Sequence, residues 1–212
     1  MHAEILKINS DNPESSLIRY AADQIRAGEV LGMPTDTFYG LAADPFNLRA
    51  VDRVYDIKSR SRHKPLSLLI ADVDQAEELA QPLPEEFYAL ARRFWPGPLT
   101  IIVPAAPKVP LRVTGNTGRL ALRQSRSAVA NALVTQLNQP LISTSANISG
   151  QPTCRSGIEV FGTMDGRIDM VLDGGFCTGQ GSTTVDVTEP NWRLVKAGAI
   201  EESEIAECLA ET

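Results

Sequence analysis

A layered α/β domain is the fold class that this 212-residue sequence predicts, and three observations carry it. Segments with apolar residues at helical spacing alternate along the chain with short apolar runs of strand length. A hydrophobic share of 43% beside 22% charged residues suffices for one substantial core. No internal repeat, low-complexity tract or linker divides the chain, so residues 1–212 are expected to form a single domain.

The elements follow in order. Asn12-Pro13 opens an amphipathic helix through Leu17, Ile18, Ala21, Ala22 and Ile25 that stops at Gly28. A strand is expected over 30–33, then a loop, PTDTFYGLAADPFN. Val51, Val54, Tyr55 and Ile57 mark a second helix, which delivers Lys58 at its C-terminal end, where the helix dipole favours a cation. Residues 66–70 read as a short buried strand, Asp72 caps a helix through Leu79, and Pro84 opens another with Phe87, Leu90, Ala91 and Phe94 on one face. WPGP at 95–98 ends it. Strands are predicted over 100–103, 120–123 and 141–143, with a helix over 129–137 between the last two. The last third supplies a weak helix near 158–161, strands near 170–172, 183–187 and 192–195, and a helix ending near Leu209. Residues 174–182 are rich enough in glycine to form a mobile loop.

Composition excludes several classes. Twenty basic against 26 acidic residues give a net charge of −6, so the surface as a whole does not suit a nucleic-acid coat, although a local basic cleft is allowed. The first fourteen residues lack a basic, apolar leader pattern, and no run approaches the roughly eighteen apolar residues of a membrane span, so a soluble cytoplasmic protein is expected. Cys154, Cys177 and Cys208 are far apart with no C-x-x-C, which points to reduced structural thiols. With only His2 and His63 present, a histidine-based triad or a His/Cys metal centre is disfavoured.

Against this acidic background, Lys58, Arg60, Arg62 and Lys64 stand on alternate residues, with no carboxylate between Asp56 and Asp72. In an extended segment all four would face one way and meet a polyanion such as a nucleotide triphosphate or an RNA backbone. The alternative is a solvated basic loop. No phosphate-binding G-x-x-x-x-G-K-[ST] loop occurs. STSANISG, 143–150, follows a strand and crowds hydroxyls into a loop where open α/β sheets bind ligands, or else satisfies its own turn. Thr35 and Thr37 in PTDT can contact a polar ligand or cap a turn. Arg123 ends a strand and can grip a carboxylate by two parallel hydrogen bonds, with a surface ion pair as the competing role. Ser182-Thr183-Thr184 again sets hydroxyls at a strand entry.

Together, PTDTFYGL at 34–41, the Lys58/Arg60 K-x-R pair, FWPGPLT at 94–100, LALR at 120–123 and STSANISG at 143–150 occur in that order. From about Val30 to Ile200 the chain resembles the YrdC-like family of L-threonylcarbamoyladenylate synthases, among them the short members without an additional C-terminal domain. The resemblance implies a three-layer α/β fold, with a twisted mixed parallel/antiparallel open sheet flanked by helices around a positive concave cleft. It implies that L-threonine, bicarbonate and ATP give threonylcarbamoyl-AMP and pyrophosphate, toward N6-threonylcarbamoyladenosine in tRNA. Carried over by position, Thr35, Arg123, Ser143 and Ser182 would hold threonine. Lys58, Arg60, Arg62, Ser145, Asn147, Thr153 and Lys196 would hold ATP, with Lys58 and Arg60 acting in catalysis and Mg²⁺ bound mainly through the phosphates. No protein metal ligand is expected.

Two positions depart from the pattern. Lys196 stands where many relatives have arginine in an R-x-G turn, and Leu66-Ser67-Leu68-Leu69 lacks the histidine that some relatives carry there. Two further readings therefore stay open: a non-catalytic double-stranded RNA or tRNA-binding protein of translation, and a related carbamoyl-transfer enzyme with another acceptor. Partner enzymes that receive the adenylate are expected if the synthase reading holds.

Overall fold

The computed structural model describes residues 2–210. In chain order the elements are β1 (Glu4–Lys7), α1 (Ser15–Arg26), β2 (Leu31–Met33), β3 (Gly40–Ala43), α2 (Leu48–Lys58), β4 (Ser67–Leu69), α3 (Val73–Leu79) and α4 (Glu85–Phe94). There follow β5 (Leu99–Pro104), β6 (Arg119–Arg123), α5 (Ala128–Leu137), β7 (Leu141–Ser145), α6 (Gly157–Met164), β8 (Met170–Asp173), β9 (Thr183–Asp186), β10 (Arg193–Lys196) and α7 (Glu202–Ala210). Local chemistry sets several starts: the side chains of Asn47, Asp72, Ser127 and Ser156 accept hydrogen bonds from the first-turn N–H groups of α2, α3, α5 and α6.

All ten strands join one mixed sheet in the order β1-β8-β2-β3-β7-β4-β6-β5-β9-β10. Two strands had no counterpart in the expected elements. β1 is a largely exposed edge strand, so its four residues carry no alternating pattern, and it forms because β8 pairs with it in parallel. β3, GLAA, falls within the segment expected to be a loop; small residues have little strand propensity, and it is pairing with β2 and β7 on either side that makes a fully buried strand of it. The pairing also extends β7 through Ser145, so the first half of STSANISG is strand rather than loop.

Helices cover the sheet unequally. On one face α1 and α5 bury Ile18, Ile25, Leu133 and Val134 against Leu31, Met33, Leu141 and Leu172. Their reach across the sheet ends at Leu69. The other face carries the larger core, where Val51, Val54, Leu79, Phe87, Leu90, Val160 and Ile205 from α2, α3, α4, α6 and α7 meet Leu68, Ile101, Leu122 and Val185. On the first face, therefore, β6, β5 and β9 lie beyond the helical cover. No helix among the described residues is long and apolar enough to cross a membrane.

Candidate active site

That bare stretch of sheet, with the adjoining β4 and β7, is the floor of a cleft of about 400 Å³. Side chains alternate along a strand, so each floor strand sends large apolar residues into the core and small or polar ones into the cleft. Leu68, Leu122, Ile101, Ile142 and Val185 point into the core. Their neighbours Ser67, Ala121, Arg123, Thr100, Ile102, Ser143, Ser145 and Thr184 line the cleft. Gly40 keeps the wall thin: a Cβ there would stand 2.9 Å from Ser143 Oγ. Arg60, Lys64, Arg123 and Lys196 are among the lining residues and no carboxylate is, so the cleft is positive on an acidic protein.

Arg123 closes one end of the floor. Its side chain is buried, its Nε donates to Gly97 O at 3.1 Å and its Nη1 to Thr37 Oγ1 at 3.1 Å, while Nη2 pairs with Asp36. Burial pushes its pKa down, and the Asp36 charge and hydrogen bond oppose that. Three of five N–H groups are thus engaged, leaving one on each terminal nitrogen. The expected carboxylate partner exists first within the chain itself, as Asp36. Thr35 caps its turn, its Oγ1 donating to Phe38 O at 2.6 Å and accepting from Thr37 N at 3.1 Å, and it also lines the cleft.

The basic segment is not the extended comb that alternation suggested. Lys58 is the last residue of α2, Ser59 takes a left-handed conformation with φ of 49°, and Lys64 N donates to Ser61 O, so the chain turns and scatters the four cations. Lys58 is only 2% exposed, with its Nζ donating to Asn147 O at 2.9 Å, Asn147 Oδ1 at 3.0 Å and Ser145 O. Burial, helped by the Arg60 charge, pushes its pKa down to about 8. Arg60 donates to Pro65 O at 2.9 Å and lines the cleft with Lys64. Arg62 turns away, paired with Asp52 at 2.6 Å and Asp56 at 2.8 Å and resting over the Tyr55 ring in a separate depression. The helix turn before the segment supplied the neutralising carboxylates that the segment itself lacks.

The register shows which expected residues meet. β4 runs parallel to β6 with Leu69 opposite Arg123, and antiparallel to β7 with Leu69 opposite Leu141. Pro65, held by Arg60, is four residues before Leu69, and Ser145, held by Lys58, is four after Leu141. The Lys58/Arg60/Ser145 end and the Arg123 end therefore lie about 13 Å apart along the strands. Ser143 lies between them. Asn147 is buried behind the wall: its Oδ1 accepts from Lys58 and from Ser145 Oγ at 2.6 Å, and its Nδ2 donates to Gln151 O. Thr153 is not among the lining residues. Ser67 and Thr100 line the cleft, and Asp36 adjoins it through Arg123, without having stood out in the sequence, where the signal was hydroxyls alternating with large apolars along several strands.

The far wall is β9 and β10. Thr100 Oγ1 donates to Ser182 Oγ at 3.1 Å, and Lys196 pairs with Thr184. The loop 174–182 is irregular but tied: Arg155 stacks on Phe38 and donates to Cys177 O and Gly179 O, both at 3.1 Å. Cys177 and Cys154 are free thiols whose pKa values are pushed up by burial, which does not suit a nucleophile. Gly198 packs on the chain behind Ser182, where a Cβ would stand 2.3 Å from Gly181 O and 2.4 Å from Ser182 C. Gly198→Ala is expected to push Ser182 and Lys196 out of place and to lower the midpoint of thermal unfolding, with the helix content unchanged by circular dichroism.

The domain model of Sua5, YciO and YrdC, described as "Telomere recombination", matches residues 23–198. The chain belongs to the Sua5/YciO/YrdC family. Among relatives, the threonylcarbamoyl-AMP synthase of Pyrococcus abyssi (strain GE5 / Orsay) is 38% identical over 195 residues, covering 92% of this chain and 57% of that protein. That of Bacillus subtilis (strain 168) is 37% identical over 202 residues, covering 94% of this chain and 57% of the relative. The chain thus spans less than two thirds of the length of these curated relatives. P. abyssi Sua5 complexed with L-threonine superimposes with a TM-score of 0.93 at 37% identity, over 98% of this chain and 61% of that one. E. coli YciO superimposes with a TM-score of 0.88 at 24% identity, over 94% and 97% of the two chains, a likeness in fold. The three-layer fold with a mixed open sheet is the one this Sua5/YciO/YrdC domain was expected to have. Of its two departures, Leu69 sets an apolar side chain in the cleft beside Arg123, and Lys196 keeps a cation there without the planar fork.

Proposed function

We propose that this chain is an L-threonylcarbamoyladenylate synthase, acting in the cytoplasm on L-threonine, bicarbonate and ATP. One observation supports this most: a single cleft has an arginine with two uncommitted N–H groups at one end and clustered cations about 13 Å away along the strands. That separation accommodates an amino acid at Arg123 and a triphosphate against Arg60, Lys64 and Ser145 within one pocket, with the Lys58 charge buried behind Ser145. Thr35 and Ser182 line the acid side, Ser143 lies between the two ends, and Lys196, level with Arg123 through Thr184 and Thr100, adds a cation from the opposite wall. The relatives' names and the threonine complex of P. abyssi Sua5 agree with it.

In this reading the amine of threonine and bicarbonate condense to a carbamate with loss of water. A carbamate oxygen then forms a bond to the α-phosphorus as the bond to the bridging oxygen of the leaving pyrophosphate breaks. No side-chain nucleophile is required. What the chain supplies is orientation by Arg123 and the hydroxyl floor, and positive charge facing the leaving group. Among the described residues no cluster of His, Cys, Asp or Glu could hold a metal, and the cleft lining is free of carboxylates. In this reading Mg²⁺ enters with the substrate, on the phosphates.

Arg62 and Asn147 are reassigned in this proposal, the first bound to carboxylates outside the cleft and the second bracing Lys58, and Thr153 stands back from the lining. Withdrawal of Arg62 leaves the cations gathered around one pocket rather than along a ridge, which favours a small substrate over an RNA backbone. Purified protein given ATP, Mg²⁺, threonine and bicarbonate is expected to release pyrophosphate only when all four are present. Release that continues without threonine would assign another acceptor, and steep salt-dependent RNA binding without release would favour the non-catalytic reading.

A further inference from the structure

Resting on that reading of the cleft, we propose that Asp36 is a positioning residue for recognition of the amino acid's carboxylate. It acts through Arg123, and it lies in the PTDT loop between two threonines that line the cleft. Its Oδ1 accepts from both Arg123 Nη2 and Ser125 Oγ, so one carboxylate oxygen joins the end of β6 to the chain that follows. The side chains of Arg123 and Asp36 are 9% and 14% exposed, and a pair so enclosed holds its geometry more strictly than a surface ion pair does.

The rest of the cradle fixes the plane of the guanidinium. Gly97 O takes the Nε proton and Thr37 Oγ1 takes one from Nη1, so with Asp36 the acceptors come from two separate segments, the turn after α4 and the PTDT loop. Without Asp36 the Gly97 and Thr37 contacts still hold Nε and Nη1, but Nη2 loses its charged partner and the direction of its N–H groups is held less strictly. The residual N–H groups that would meet a substrate carboxylate are those whose direction this cradle determines. Asp36 also offsets part of the Arg123 charge, so the site distinguishes a carboxylate by placed hydrogen bonds more than by bulk attraction.

The test uses the whole chain with a non-hydrolysable ATP analogue, titrated calorimetrically with L-threonine and with L-threoninamide, which lacks the carboxylate. The parent protein is expected to prefer threonine. In Asp36→Ala that preference falls about tenfold, and in Asp36→Asn, which keeps an acceptor oxygen without the charge, it falls less. Adding Asp36→Ala to Arg123→Ala causes no further fall, because the positioned group is already gone. A purely structural residue would weaken both ligands equally and leave their ratio alone. An unchanged ratio in folded Asp36→Asn and Asp36→Ala overturns the proposal while leaving the reading of the cleft intact; if Asp36→Ala does not fold, the ratio in Asp36→Asn decides. No preference in the parent protein overturns both.

Discussion

Lys58→Ala is expected to lower the rate of pyrophosphate release by about 10²–10³-fold, the usual cost of removing one group that stabilises developing charge. The lysine is placed by the end of α2 and by three oxygens from the β7 turn, so its charge sits directly behind Ser145 in the cleft wall. All three of its protons are taken within the chain, and it reaches a phosphate directly only by releasing one of those oxygens. Alanine also strands those acceptors, at about 1–3 kcal/mol for each that stays buried. Thermal unfolding run beside the kinetics separates the two losses. With a pKa of about 8 in the folded chain, the lysine loses its charge as pH rises, so kcat/KM for ATP should fall through that value. Bound triphosphate favours the charged form, and the corresponding limb in kcat should lie higher. Stability moves the other way: between about 8 and the ordinary 10.5 the unfolded chain holds a proton that the folded chain has lost, so folding gains with pH there. Lys58→Met should abolish that gain, and a variant retaining it would show another group to be responsible.

Arg123→Ala is expected to weaken threonine binding by about 1.5–3 kcal/mol, the worth of a charged hydrogen-bonded contact, with little change in the affinity for ATP. It carries a second cost. Asp36 would be left enclosed without its cation, and breaking a buried pair on one side costs about 3–5 kcal/mol. Asp36 retains the Ser125 hydroxyl and some exposure, which places the loss toward the lower end. Arg123→Lys restores a charge to Asp36 but not the fork, so most of the stability should return while threonine binding remains weak. Calorimetric titration and thermal unfolding of both variants check this; recovery of threonine affinity in the lysine variant would remove the need for a planar, two-donor contact.

Local signals recovered most of the fold. Asp72, Pro84 and WPGP bound their helices where cap chemistry says they must, because each acts through its own neighbours in sequence. β1 and β3 were illegible for the opposite reason: EILK and GLAA have no strand pattern of their own and are strands because of partners far along the chain, at β8 and β7. In the site, Arg123, Thr35, Ser143, Ser145 and Ser182 could be read from strand ends and hydroxyl runs. Arg62 could not, since its partners Asp52 and Asp56 lie one and two turns back on α2 and come into reach only when Ser59 reverses the chain. Asp36 carried no signal of its own in the sequence, because its role comes from tertiary packing against Arg123.

The central claim is that one cleft holds the acid at Arg123 and the triphosphate at the Lys58/Arg60 end. A crystal structure with L-threonine and a non-hydrolysable ATP analogue tests it most directly. The expected result is a threonine carboxylate within hydrogen-bond distance of an Arg123 terminal nitrogen, its amine toward Ser143, and phosphate oxygens against Arg60 with the nucleotide running away from Leu69. Density for either molecule outside the floor formed by β7, β4, β6, β5 and β9, or a triphosphate lying on Arg123 itself, would contradict it.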